Sequence, residues 1–350
     1  MVIALVRKAA ACAVVSCFGL LIGLAIAEVA VRLSRLGSAA PQWNDRPAFY
    51  FAAPGPRPHQ DFDYPDLKPE GAFRIAVVGD SYTFAPYMQF TDTFVKKLET
   101  MLNLNEGGRK AEVINYGVPA YSTSHEIGVV QAALKRRADL VLLQITLNDP
   151  ELKPLRPTGI RADAFDRFGE LQPQGWQKTV LHYWKTADLV ARRLHNNATH
   201  RAYADYFNEL YEKRRSWAVF KDSLAQIASS CRKAGVPLAA VIFPLFGLPL
   251  DSEYPFHGIH QKTAGLLSEL GVPYLDLYKT YEGIPLERLQ VVPGKDRHPN
   301  EIAHRMAAEA IYVWLARENH VPADLRISRA YAIRLGIANQ PPYHDASIGR

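Results

Sequence analysis

The sequence is expected to fold as an α/β protein, a parallel sheet covered by helices on both faces, behind one long apolar helix. From Phe73 onward, apolar runs of strand length alternate with helical patterns, as in chains that build parallel sheets. An uncharged, mostly apolar run from Ala9 to Ala27 stands near the amino terminus. Of the 350 residues, 48% are hydrophobic, enough to supply a sizeable core.

In chain order, the apolar run comes first. As a helix rising 1.5 Å per residue it spans about 28 Å, close to the hydrocarbon thickness of a bilayer. Ala25-Ile26-Ala27 also fits the small-x-small cleavage pattern of a signal peptide. The run exceeds the usual length of a signal core. Its pattern continues through Val29, Val31 and Leu33, with Arg32 and Arg35 placed to meet headgroups. Residues 1–36 are therefore expected to be an uncleaved single-pass membrane anchor, with secretion after cleavage as the alternative. Arg7 and Lys8 favour a cytoplasmic amino terminus, which places the following domain outside the cytoplasm. Residues 37–71 are rich in Pro and aromatics, as in Pro54-Gly55-Pro56-Arg57-Pro58, and read as a linker laid over the domain surface.

The main domain is expected over residues 72–320. Its strand candidates are Phe73–Val78, Val113–Tyr116, Leu140–Ile145, Leu238–Phe243 and Tyr274–Leu277. Helical spacing fits Asp92–Leu102, Ser124–Arg137, Ala218–Ala234, His260–Leu270 and Glu301–Arg317. The stretch from Pro150 to Lys233 is too long for an ordinary connection. An insertion over about residues 150–217 carries Trp176, Tyr183, Trp184, Tyr203, Tyr206, Phe207 and Tyr211. It reads as an added helical subdomain that buries its aromatics, or as a cap over a pocket. Residues 321–350 read as a surface tail.

Composition excludes several classes. The net charge of +6 comes from Lys and Arg scattered among 35 acidic residues, without a dense basic block, so nucleic acid is not an expected partner. Three cysteines form neither a disulfide framework nor a metal spacing. Of the histidines only His257 and His260 are closely spaced, beside Pro and Gly, which is weak ground for a zinc site. There is no phosphate-binding Gly loop. No metal or other cofactor is expected, and nothing fixes an oligomeric state.

Four short segments carry the chemistry. The first strand ends in Gly79-Asp80-Ser81, and a Ser just past a buried strand is placed to expose its hydroxyl. Capping of the next helix by Asp80 or Ser81 is the structural alternative. The second strand runs into Gly117, whose amide can approach a developing oxyanion, although Gly also serves plain turns. After the third strand comes Thr146-Leu147-Asn148-Asp149-Pro150, where the Asn148 side chain is a usual oxyanion donor. Near the carboxyl end lies Asp296-Arg297-His298-Pro299-Asn300. His298 has a pKa suited to taking a proton from Ser81, and Asp296 can hold the other ring nitrogen. Asn300 is placed to cap the following helix.

With these residues in this order, over roughly Phe73 to Arg317, the chain resembles the SGNH hydrolase superfamily, also called the GDSL family. Gly79-Asp80-Ser81 resembles its first block, Gly117 the Gly of the second, Asn148-Asp149 the third, and Asp296 with His298 the last. The resemblance implies a flavodoxin-like three-layer fold and a Ser81–His298–Asp296 triad. It also implies an oxyanion hole of the Ser81 amide, the Gly117 amide and the Asn148 side chain. The apolar helix followed by Glu28 and Arg32 resembles the membrane-anchored bacterial members. Tyr82 stands where the family name has Leu, a position outside the chemistry. Thr146 replaces the usual Gly of the third block, and Asp precedes His by two residues rather than three.

The expected activity is ester hydrolysis through an acyl-enzyme on Ser81, deacylating an envelope glycan or another ester. An O-acyltransferase using the same three residues is the first rival, since it differs only in what attacks the acyl-enzyme. An inactive binding module is the second.

Overall fold

Phe73–Gly79 (β1) contains apolar and β-branched residues on both sides of its pleat, and every one of its residues is buried. Such a strand is stable only in the middle of a covered sheet. The computed structural model places it there, in a five-stranded, all-parallel sheet. The structure describes residues 2–34, 61–105, 107–152, 171–293 and 296–327. Most of the expected 37–71 linker and of the 321–350 tail lies outside these residues.

The described chain divides into two compact units, Met1–Gln42 with Asp163–Tyr203, and Trp43–Ala162 with Ala204–Arg350. The first contains the amino-terminal helix α1 (Val2–Ser34), which includes a stretch, Ala10–Ser34, long and apolar enough to cross a membrane. In the second, β1 is followed by α2 (Ser81–Phe84), α3 (Phe94–Leu102), β2 (Ala111–Gly117), α4 (Thr123–Lys135) and β3 (Leu140–Ile145). Next come α5 (Trp176–Tyr183) and the start of α6 (Lys185–Glu212), which belong to the first unit. After α6, the second unit resumes with α7 (Arg214–Lys233), β4 (Leu238–Ile242), α8 (His257–Glu269), β5 (Tyr274–Asp276) and α9 (Tyr278–Tyr281). The last elements are β6 (Gln290–Val292), β7 (Asp296–Pro299) and α10 (Glu301–Arg317).

The strand order β2-β1-β3-β4-β5 is the flavodoxin-like one. Helices α3 and α10 pack together, as do α4 and α7, giving a helical layer on each face. Between β1 and β3 the order reverses. In doubly wound sheets, ligands bind beyond the carboxyl ends of the strands at that switch point.

The β1–β2 side of the sheet is fastened by buried charge. Arg74 pairs with Glu112 at 2.8 Å, both side chains 1% exposed, and donates to the carbonyls of Pro65, Asp66 and Arg136. Asp61 accepts from the Asn115 amide at 2.6 Å and pairs with Lys96 at 2.7 Å. The described end of the proline-rich stretch is thereby bound to the edge strand β2. A buried ion pair of this kind fixes register more than it adds stability, and losing one partner is costly.

Within the expected insertion, Phe207 and Tyr211 are buried as anticipated. Trp176, Tyr183 and Trp184 are not: their exposures are 74%, 70% and 41%.

Candidate functional site

The site begins with a steric constraint at the end of β1. A Cβ on Gly79 would sit 2.3 Å from Gln144 Oε1 and 2.4 Å from Thr83 Oγ1, so the chain passes there only as Gly. The following residue, Asp80, is the N-cap of α2 and accepts from the Tyr82 amide at 2.9 Å. Its other carboxylate oxygen accepts from Thr146 Oγ1 at 2.5 Å. Gln144 Oε1 accepts from the Asp80 amide at 3.2 Å and from Thr83 Oγ1 at 2.7 Å, while Gln144 Nε2 donates to Thr146 at 3.2 Å. This fully buried network fixes the turn and leaves Ser81 at the first position of α2. Thr146, which replaces the usual Gly, is thus a hydrogen-bonding support for the turn.

Ser81 Oγ donates to His298 Nε2 at 2.9 Å, and His298 Nδ1 donates to Asp296 Oδ1 at 2.6 Å. The same carboxylate oxygen accepts from the His298 backbone amide at 3.0 Å. Burial alone would raise the Asp296 carboxyl. The His298 hydrogen bonds and charge, with Arg297, outweigh it and hold the group below its ordinary value. His298 lies on β7, paired antiparallel with β6 in a two-stranded sheet of its own. Asn300 joins this ribbon to α10. Its Oδ1 caps the helix through Ile302 and Ala303 at 3.0 and 3.1 Å, and its Nδ2 donates to the Arg288 and Gln290 carbonyls.

Tyr82 is buried against His298, although its place in the sequence suggests a position outside the chemistry. It meets His298 edge-on with centroids 5.8 Å apart and stacks on Phe246 at 6.0 Å. His304, in contrast, packs in the core. It accepts from the Phe94 amide at 3.0 Å, and burial, with the charges of Lys97 and His298, lowers its pKa to about 3, which keeps it neutral.

The oxyanion donors expected from the sequence fare differently. Among the described residues no acceptor takes up the Ser81 amide or the Asn148 side chain, and both follow strands that flank the switch point. The Gly117 amide donates to Asn115 Oδ1 at 2.9 Å, so it would serve an oxyanion only by giving up that bond. Gly117 is also required by packing, because a Cβ there would lie 2.3 Å from the Phe84 amide nitrogen of α2. The turn that follows, Val118 to Tyr121, has Ala120 at φ +64°. Among the described residues its amide has no acceptor either.

Three further carboxyls cluster below the site. Asp80, Glu126 and Asp149 are each at most 2% exposed. Burial raises all three, and mutual repulsion adds to it for Glu126 and Asp149. Glu151 is raised to about 7 by burial, against a 2.7 Å hydrogen bond from Tyr206. Among the described residues no set of side chains is arranged to hold a metal ion.

A comparison with solved structures finds distant similarities. An acetyl xylan esterase, AlAXEase, is 14% identical, with 69% of this chain and 100% of that one covered at a TM-score of 0.41. A lipase/acylhydrolase from Enterococcus faecalis is 12% identical over 69% and 95%, also at 0.41. A protein assigned to the G-D-S-L lipolytic family, from Desulfitobacterium hafniense, is 10% identical over 68% and 97% at 0.37. No family model and no curated protein matches the chain. At such scores likeness decides nothing about the chemistry, which rests on the geometry of the site.

Proposed function

We propose that the chain is a serine hydrolase of the SGNH type that cleaves a carboxylic ester through an acyl-enzyme on Ser81. The observation that carries this is the unbroken relay from Ser81 Oγ through His298 to Asp296, at 2.9 and 2.6 Å. His298 Nε2 takes the Ser81 proton as Oγ attacks the ester carbonyl, and Asp296 holds the tautomer and stabilises the imidazolium. The oxyanion is met by the Ser81 amide and the Asn148 side chain, with the Gly117 amide, once released from Asn115, or the Ala120 amide as a third donor. His298 returns the proton to the departing alcohol. Water, activated by the same ring, then frees the acid.

Acylated carbohydrate is the substrate class to test first. A cavity of ≈ 580 Å³ between β2 and α4, lined by Phe62, Tyr64, Tyr116 and Tyr121 with Asp63, Asp66 and Arg136 and by none of Ser81, Asn148, Asp296 or His298, offers a place for a sugar ring away from the scissile ester. Aromatic faces and charged hydrogen-bonding groups together suit a sugar ring. Helix α1 is read as an anchor that holds the hydrolase at a membrane, with the domain outside the cytoplasm.

A fluorophosphonate probe followed by peptide mapping tests the central claim. The adduct is expected on Ser81, and Ser81→Ala should lower kcat on an acetyl ester by on the order of a millionfold. Near-native turnover by that variant, or an adduct elsewhere, excludes the assignment.

A further inference from the structure

The unit that contains α1 has a surface that the hydrolytic reading leaves unused. Along α1 the partly covered positions Leu24, Ala27, Glu28 and Val31 follow i, i+3, i+4, i+7 spacing. From that stripe Glu28 reaches the start of α6. It accepts from the Lys185 amide at 2.9 Å and from the Thr186 amide and hydroxyl at 2.8 Å each. One turn on, Arg32 bonds Glu28 at 2.8 Å and donates to the Tyr183 carbonyl at 2.6 Å. The α5–α6 corner is therefore fastened to α1 at the point where its apolar run ends.

The exposed aromatics gather at this corner. Trp176, Tyr183 and Trp184 are exposed there, and Val190 and Leu194 continue the apolar surface along α6 at 52% and 64% exposure. Helix α5 has eight residues and buries none of them. A helix this short is marginal in water without a surface to lie on. From Trp176 to Arg201 the sequence has five basic residues, Lys178, Lys185, Arg192, Arg193 and Arg201, against one acidic residue, Asp188.

We infer that α5 and the first turns of α6 lie in the headgroup layer of the bilayer that α1 spans, with anionic phospholipid as the partner. The placement rests on α1 being an anchor. Trp and Tyr rings suit that layer because one end is apolar and the other hydrogen-bonds. Lys and Arg beside them complement anionic headgroups. Continuity with the span favours lipid over a protein as the occupant of this face.

The test uses the full-length protein in phosphatidylcholine/phosphatidylglycerol vesicles, with and without bromine on the upper acyl chain. Flotation with the vesicles at high salt reports on the anchor. The fluorescence difference between wild type and Trp176→Phe/Trp184→Phe isolates the two exposed indoles, and both replacements keep an aromatic ring. The chain should float, and brominated lipid should remove most of that difference signal. If the chain floats while the signal stays unquenched, the interfacial placement is wrong and the anchor stands. If the chain does not float, both fall.

Discussion

Asp80 spends its carboxylate on the Tyr82 amide and the Thr146 hydroxyl, and that frees Ser81 to meet His298. Asp80 takes the capping role, and on the proposed reading Ser81 is left as the nucleophile. Asn148 presents a donor with no protein acceptor among the described residues. Asn148→Ala is expected to lower kcat by about 100- to 1000-fold with KM little changed, since the charge it meets develops only in the transition state. Steady-state kinetics on a soluble acetyl ester checks this; a loss confined to KM makes it a substrate-binding residue. Gly117→Ala should instead act on the fold, lowering the melting temperature by forcing α2 away from β2. Glu151 gives a pH dependence. Its carboxyl rises from 4.5 to about 7 on folding, so its stabilising contribution is complete below about pH 4.5 and is lost as pH climbs through about 7. Glu151→Gln keeps an acceptor for Tyr206, so urea midpoints measured from about pH 5 to about pH 8 should fall less steeply than for wild type.

At the scale of elements, Asn300 joins two structures that have little else in common, the ribbon β6–β7 and helix α10. Asn300→Ala should cost about 1–2 kcal/mol from the cap alone, read from urea unfolding, and should also lower kcat by loosening the ribbon that carries His298. Most elements were legible in the sequence for a physical reason. Strands β1 and β3 are buried on both faces and so read as continuous apolar runs, and α10 keeps its expected bounds because Asn300 signals its start. The ribbon was not legible. Asp296–Pro299 is short and polar and has no alternation, so it passes for a loop before a helix. Among candidate site residues, Ser81, His298 and Asp296, which the fold brings into hydrogen-bond contact, could be singled out through their order and spacing. Gln144, Thr83 and Tyr82 could not, because their importance comes from burial beneath the turn, which no local pattern marks. Gly117 was ambiguous, since a Gly that admits a ligand and a Gly that admits a neighbouring helix look alike in sequence.

For the whole molecule, the strand order decides where chemistry sits. Ser81 follows β1 and Asn148 follows β3, the two strands on either side of the reversal, so on the proposed reading the nucleophile and its side-chain donor come from the topology. The base does not. His298 and Asp296 belong to a two-stranded ribbon outside the main sheet, and a pair of strands contributes little stability alone. Val291 of β6 is buried against Ala85 and Met88, but Asp296, Arg297 and His298 of β7 are only half-buried, and segments with few buried contacts open well below the global unfolding free energy. Catalysis should therefore fail before architecture does. In a urea titration, ester turnover is expected to reach its midpoint at lower denaturant than the far-ultraviolet circular dichroism of the sheet and helices. Coincident midpoints would mean that the ribbon opens only with the whole domain. A separation would make the rate of turnover a gauge of a few residues near the carboxyl end, and a molecule that has stopped working would, on dilution, recover its base without refolding its core.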